Sequence, residues 1–327
     1  MSVSKNIEGL TDSTVCALSL SEKKMVILGT QFAGEMKKSI FKIMHYFFPK
    51  KGILTLHASA YQAKNGYGIM CGLSGTGKTA LALNKNFKII GDDELCWGPE
   101  GIFGIEGGCY AKTINLTQKD EPEIYNAMKF GAIVENINFY PDSREINYSD
   151  SSITQNTRGS FPLNFLPNAK IPAVGDHPSN IIFLTCDTKG VLPPVSILNN
   201  EQALFQFLSG YTAKIGGTDL TSKSPESTFS ACFGEIFLPL DPVIYAKMFY
   251  EKIRQHKVKV WLINTGYFVA YLDGLEDSTE WVSASPCSIP TLSFMPSMKD
   301  SWTMWKRAIC STLTCKFQTV YLASQKT

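Results

Sequence analysis

The sequence predicts an α/β protein built around a phosphate-binding loop, and three observations carry that expectation. The stretch Gly72-Leu73-Ser74-Gly75-Thr76-Gly77-Lys78-Thr79 fits G-x-x-x-x-G-K-[ST], with a strand-like apolar run over 67–71 before it and a helix start over 80–83 after it. Strand-like runs at 53–59, 87–90, 180–185 and 258–263 are interspersed with helix-like segments at 36–48, 201–208 and 242–256. An apolar content of 44% with 18% charged residues lets the chain bury a sizeable core.

In such a loop, glycines let the backbone bend around an anion so that several N–H groups face phosphate oxygens. The helix that follows adds its unpaired N–H groups and the positive end of its dipole. Lys78 is expected to neutralise the β- and γ-phosphates, and Thr79 to place its hydroxyl on a divalent metal. A Gly/Ser/Thr turn that binds nothing is the alternative; the strand and helix signals on both sides weigh against it.

The 327 residues allow one large domain or two smaller ones. A net charge of +2 gives no reason to expect general affinity for nucleic acid or an anionic membrane. No apolar run approaches the length of a membrane span, and the first ten residues do not read as a secretory signal. Nine cysteines are scattered with no CxxC pair, which suggests reduced thiols in a cytoplasmic protein, Cys71 and Cys186 being small core residues.

Residues 1–12 are polar and expected to be disordered. Short strands are expected at 15–20 and 24–28, then an amphipathic helix to about 48 with Met36, Ile40, Ile43, Met44 and Phe47 at helical spacing. Pro49 and Gly52 stop it. His57 lies inside the next apolar strand, where a lone histidine is more often a satisfied core residue than a ligand. The run 87–90 ends in Gly91-Asp92-Asp93-Glu94. Three consecutive carboxylates repel one another unless a cation offsets them, and an acidic cluster after a phosphate loop suits Mg²⁺; a solvated turn is the alternative. Beyond come a strand at 101–105, a helix at 121–127, strands and turns over 133–150, an isolated Arg158, a Pro-bearing loop over 161–172 and a mobile segment over 216–228. No linker interrupts residues 13–267, which read as one domain. From 268 to 327 the periodicity is lost, with a possible short helix near 302–308.

Together these segments resemble the ATP-dependent phosphoenolpyruvate carboxykinases. The resemblance rests on GEMKK at 34–38, LHASA at 56–60, GLSGTGKT at 72–79, GDDE at 91–94 and EGGCYAKTIN at 106–115. It continues through EPEIYNA at 121–127, NTR at 156–158, GVLPPVS at 190–196, FLSGYTAK at 207–214, TFSACFG at 228–234 and NTG at 264–266. The resemblance implies a mixed sheet with the phosphate loop at a strand end, like the family's C-terminal nucleotide-binding domain. It implies decarboxylation of oxaloacetate to an enolate that takes the γ-phosphoryl of ATP, with Mn²⁺ near the organic substrate and Mg²⁺ on the nucleotide. Lys38, His57 and Asp93 then match the Mn²⁺ ligands, Lys78 and Thr79 the phosphate lysine and the Mg²⁺ hydroxyl, and Arg158 the arginine bridging phosphoryl and substrate. The loop residues Gly72, Leu73, Ser74, Gly75, Thr76 and Gly77 match the phosphate cradle, with Ser74 placed to contact the phosphoryl. Lys112 and Glu121 match nucleotide-side positions. A lysine ligates a metal only as the neutral amine, so Lys38 has to give up its proton there. Imidazole and carboxylate complete a mixed N/O set suited to Mn²⁺.

Three departures stand out. Most of the family's N-terminal domain, which supplies an arginine for the substrate carboxylate, has no counterpart here. Phe32 stands where the family has tyrosine. After Gly266 the glycine-rich run and nucleotide-contacting arginine of the family have no counterpart. A shifted reading frame or mis-joined exon is one explanation of that last change. The expectation is therefore a carboxykinase; the alternative is a catalytically impaired ATP- and metal-binding module. A kinase of the HPr-kinase type shares the loop, but the later motifs argue against it. Surface that packs on the N-terminal domain in the family is expected to be exposed here and to favour self-association.

Overall fold

The computed structural model describes residues 14–73, 76, 78, 86–187, 191–214, 226–265, 267–270 and 280–283. The expected disordered N-terminus, the residues 74, 75, 77 and 79–85, most of the 216–228 segment and the short helix near 302–308 lie outside them. The elements run β1 (Val15–Ser19), β2 (Lys24–Leu28), α1 (Gly34–Phe47), β3 (Leu54–Ala63), β4 (Gly66–Cys71), β5 (Lys88–Gly91), β6 (Glu94–Trp97), β7 (Ile102–Gly104) and β8 (Gly108–Lys112). Then follow α2 (Pro122–Ala127), β9 (Ile133–Glu135), β10 (Arg158–Pro162), β11 (Val174–Gly175), β12 (Asn180–Thr185), β13 (Val195–Leu198), α3 (Asn200–Ser209), β14 (Tyr211–Lys214), β15 (Glu226–Phe229), α4 (Pro242–Gln255) and β16 (Lys259–Asn264). A backbone hairpin, β17 (Tyr267–Ala270) with β18 (Glu280–Ser283), follows.

A nine-stranded mixed sheet organises the chain, in the order β11-β7-β6-β3-β4-β12-β16-β13 with β5 also paired to β3. β4, β12 and β16 are mutually parallel along the sheet, and the other pairings are antiparallel. Strands covered on both faces read as continuous apolar runs, as 181–184 in β12 does. β3 is buried over its first eight residues because it pairs with β4, β5 and β6 and lies deep in the sheet. It extends four residues beyond the expected 53–59. β8, β10 and β9 form a separate antiparallel sheet.

Helices α3 and α4 cover the sheet through stacked Phe207 and Phe249, whose centroids are 4.3 Å apart. Both are well started. Asn199 and Gln202 form a reciprocal capping box on α3, and the Asp241 side chain accepts from the Val243 N–H at 2.8 Å ahead of α4. Gly210 ends α3 at φ +55°, where a Cβ would lie 1.7 Å from the Ser230 carbonyl oxygen, so no other residue fits without moving the chain.

α1 forms where the period predicts it, yet the apolar stripe faces inward only in part, with Ile43 and Met44 half-buried. Met36, Ile40 and Phe47 are exposed, while Ser39, Phe41 and His45 are buried. The inward face is chosen by polar contacts. His45 Nδ1 lies 2.6 Å from Thr55 Oγ1 of β3, and Tyr245 of α4 donates its hydroxyl to the His45 carbonyl at 2.6 Å. Phe41 meets the His45 ring edge-on at 4.4 Å.

Burial first, with His57 and Lys38 nearby, holds the His45 imidazole down at about 3. The folded protein keeps His45 neutral while the unfolded chain protonates it near 6.5. This group's contribution to stability is complete above that value and is lost as the pH falls toward about 3. Urea midpoints measured from pH 7 downward should therefore fall in the parent protein. The decline should be shallower in His45→Asn, which keeps an acceptor for Thr55 without the titrating ring.

Candidate active site

Three elements converge around the Asp93 carboxylate in the turn between β5 and β6. α1 brings Lys37 and Lys38, β3 brings His57, and the glycine loop brings Lys78. Strand register sets the geometry: His57 of β3 lies opposite Glu94 of β6, and the Ala58 N–H donates to the Asp93 carbonyl at 3.0 Å. Asp93 Oδ1 is 2.8 Å from His57 Nε2. Asp93 Oδ2 accepts from Lys37 at 3.0 Å and from Lys38 in a short contact. Lys78 Nζ sits 3.3 Å from His57 Nε2 and donates to the Gly72 carbonyl. The Lys38 ammonium also lies over the rings of Phe237 at 4.7 Å and Phe41 at 5.3 Å.

The other side of His57 fixes what its Nε2 can do. His57 Nδ1 is 2.8 Å from the Phe233 carbonyl oxygen, which only accepts, so Nδ1 carries the proton. Burial, then Lys78, lowers the His57 pKa and keeps the ring neutral. Nε2 therefore presents a lone pair toward Asp93 Oδ1. Burial works against the Asp93 carboxylate, but the ammonium groups of Lys38 and Lys37 beside it draw it below the usual carboxylate range. Two lone pairs facing each other at 2.8 Å need positive charge beside them, which the Lys78 and Lys38 ammonium groups supply here. With the Lys38 amine at the same carboxylate, the donor set fits a divalent ion that accepts nitrogen and oxygen. Cys232 and Phe233 are both non-glycine residues at φ +56°, so backbone strain is held where a carbonyl is aimed at the imidazole. This carbonyl is the orienting partner that a histidine ligand requires on its far nitrogen.

A second layer lies beside it. Lys37 reaches Glu106 Oε1 at 2.5 Å and Glu94 Oε1 at 3.8 Å as well as Asp93. Burial works to lower the Lys37 ammonium pKa, but Asp93, Glu106 and Glu94 outweigh it and raise it. Burial, with Asp93 and Glu94 nearby, pushes the Glu106 carboxyl up while Lys37 opposes the shift. Lys37, Glu106 and the Phe233 carbonyl received no role from the sequence, whereas Glu94 was expected only as part of the acidic cluster. Lys37 and Glu106 stand inside GEMKK and EGGCYAK, so the signal was present without a way to separate Lys37 from its neighbour.

The remaining expected residues divide. Gly72 is packed so closely that a Cβ would lie 2.5 Å from Thr76 Oγ1 and 3.0 Å from Leu184 Cβ. Thr76 donates its hydroxyl to the Leu73 carbonyl at 2.7 Å, bracing the loop. Ser74, Gly75, Gly77 and Thr79 lie outside the described residues. Arg158 begins β10 opposite Lys112 of β8, and the burial of Lys112, with Arg158 beside it, lowers the Lys112 pKa. Arg158 Nε donates to Asn156 Oδ1 at 2.9 Å, and its guanidinium lies 5.5 Å from the Tyr110 ring. That ring also faces the Lys37 ammonium at 5.6 Å and so links Arg158 to the Asp93 group. Glu121 immediately precedes α2, and burial, then Asp120, raises its pKa.

Comparison with known sequences bears directly on this arrangement. The sequence model of phosphoenolpyruvate carboxykinase matches residues 1–274. The chain belongs to the ATP-dependent phosphoenolpyruvate carboxykinase family. It is 53% identical over 258 residues to phosphoenolpyruvate carboxykinase (ATP) 2 of Salinibacter ruber, covering 79% of this chain and 49% of the relative. It is 52% identical over 263 residues to phosphoenolpyruvate carboxykinase (ATP) of Neurospora crassa, covering 80% and 44%. Against phosphoenolpyruvate carboxykinase (ATP) 1 of Arabidopsis thaliana it is 52% identical over 259 residues, covering 79% and 39%. The chain thus spans less than half the length of these carboxykinases. Among its described residues no helix is long and apolar enough to cross a membrane.

Removing one member of a buried ion pair strands its partner, typically at a cost of about 3–5 kcal/mol. Lys37→Met should therefore lower the urea midpoint markedly. Lys37→Met with Glu106→Gln should recover a large part of that loss, because the stranded carboxylate is gone. Additive losses in the double variant would show that the Lys37–Glu106 contact carries no coupling.

Proposed function

We propose that the protein is a phosphoenolpyruvate carboxykinase that converts oxaloacetate and ATP to phosphoenolpyruvate, ADP and CO₂. The observation that carries this reading is the neutral His57 lone pair set against the Asp93 carboxylate, with Lys38 on one side and Lys78 of the glycine loop on the other. One contact, from Lys78 to His57, joins the nucleotide side to the substrate side. Family membership and the retained GLSGTGKT, GDDE and NTR segments support the same reading.

Lys38, His57 and Asp93 would hold Mn²⁺, and Thr79 would hold the Mg²⁺ of the nucleotide. When bound, the substrate-side ion supplies Lewis acidity at the carbonyl of the 2-oxo acid. The chain's own residues do the rest. The C–C bond to the departing CO₂ breaks, its electron pair becomes the enolate, and the enolate oxygen takes the γ-phosphoryl of ATP. Lys78 and Arg158 spread the charge of the transferring phosphoryl, with Ser74 contacting it. Phe233 holds the His57 ring in its tautomer. Phe41 and Phe237 pack their rings beside the Lys38 side chain and fix where its nitrogen lies. Gly72, Leu73, Gly75, Thr76 and Gly77 form the phosphate cradle, and Lys112 and Glu121 complete the nucleotide side. The soluble substrates suit work in the cytoplasm.

The deciding measurement is phosphoenolpyruvate formation from oxaloacetate and ATP with Mg²⁺ and Mn²⁺ present. Product is expected, and Lys78→Ala should reduce it by roughly a hundredfold or more. Asp93→Asn should remove the Mn²⁺ dependence and weaken Mn²⁺ binding read by electron paramagnetic resonance. A folded sample that binds MgATP yet forms no product would overturn the carboxykinase reading in favour of a nucleotide- and metal-binding module.

We also propose self-association. The outward face of α1 exposes Met36, Ile40 and Phe47, and Val26 of the first hairpin is exposed as well. Light scattering should give a mass above that of one chain, and Ile40→Lys with Phe47→Ser should restore the single-chain mass.

A further inference from the structure

A cavity of about 610 Å³ lies between the segment that leaves β8, helix α2 and the loop over 140–149. Neither the described residues of the glycine loop nor Lys38, His57, Asp93, Lys112 or Glu121 line it. Its size falls within the range of small-molecule pockets, roughly 300–1,000 Å³. Three phenol rings, those of Tyr125, Tyr140 and Tyr148, bound it. Tyr125 and Tyr148 pack on each other, centroids 5.9 Å apart and tilted by 53°, and so form one aromatic wall of the cavity. Tyr140 and Arg144 are exposed at the mouth. Among the described residues the Arg144 guanidinium has no carboxylate ion-pair partner.

The two walls are clamped together. Asn115 takes φ +56°, and its backbone N–H donates to the Tyr148 carbonyl at 2.7 Å. A non-glycine residue in that region marks a backbone held by its surroundings. Asn115 itself lines the cavity. Aromatic faces, one carboxamide and one available guanidinium are the groups that recognise a nucleobase carrying a single phosphate. Glu145 also lines the cavity, and its negative charge disfavours a triphosphate there.

We propose that this cavity is a second ligand site, for a nucleoside monophosphate, separate from the ATP site of the glycine loop. The base stacks on the tyrosines, Asn115 meets its polar edge, and Arg144 holds the phosphate.

The test is calorimetric titration of the full chain with AMP, with adenosine and inorganic phosphate as separate probes. AMP is expected to bind the parent and Lys78→Ala equally, and saturating MgATP should not displace it. Arg144→Gln and Tyr140→Ser, both at exposed positions, should each weaken AMP binding about tenfold, the loss expected for one charge-assisted contact. Adenosine and phosphate should each bind more weakly than AMP. Displacement of AMP by MgATP, loss of binding in Lys78→Ala, unchanged affinity in Arg144→Gln, or no AMP binding at millimolar concentration would each overturn the proposal.

Discussion

The Asp93 carboxylate is the group around which the candidate site is arranged. It receives Lys37 and Lys38 from one helix and faces His57 from the central strand, which in turn touches Lys78. Three ammonium groups and three carboxylates crowd together there, with a neutral imidazole among them. Such a cluster is stable only while the signs balance, because each buried charge lacks enough water to stand alone. This requirement reaches outward into the fold. α1 turns its lysines, Phe41 and His45 inward, and leaves Met36, Ile40 and Phe47 to face outward. Hydrophobic burial alone would have rotated the helix the other way.

That rotation marks the limit of what the sequence reveals. The long apolar strands and the capped helices were legible because their period is local. The runs at 180–185 and 258–263 and the helices ending at Gly210 and His256 appear within a residue or two of their expected bounds. β6, β8 and β10 were not legible. β6 starts on the last carboxylate of an acidic run, β8 on a glycine and β10 on Arg158, and each is a strand only because a distant partner pairs with it. Arg158 was expected as an isolated charge before a loop, whereas it opens a strand opposite Lys112.

The candidate site was legible in a different way. By residue type alone, His57 reads as a core histidine. Its grouping with Lys38 and Asp93 came from the resemblance, and the structure brings these three together. What no pattern announced is the support: the Phe233 carbonyl that sets the tautomer, and Lys37 beside Lys38. Adjacent lysines on a helix point about 100° apart, and only the positions of Asp93 and Glu106 decide which of them reaches which carboxylate.

The pairing of β3 with β6 has one further consequence. Side chains alternate across a strand, so His57 reaches Asp93 only while it stands opposite Glu94. A single inserted or deleted residue between Leu54 and His57 would present Leu56 or Ala58 to the lysines instead. The length of that short segment is therefore under stricter control than its composition. Natural variation there should appear as exchanges of one apolar residue for another, while gaps accumulate in the turns outside it.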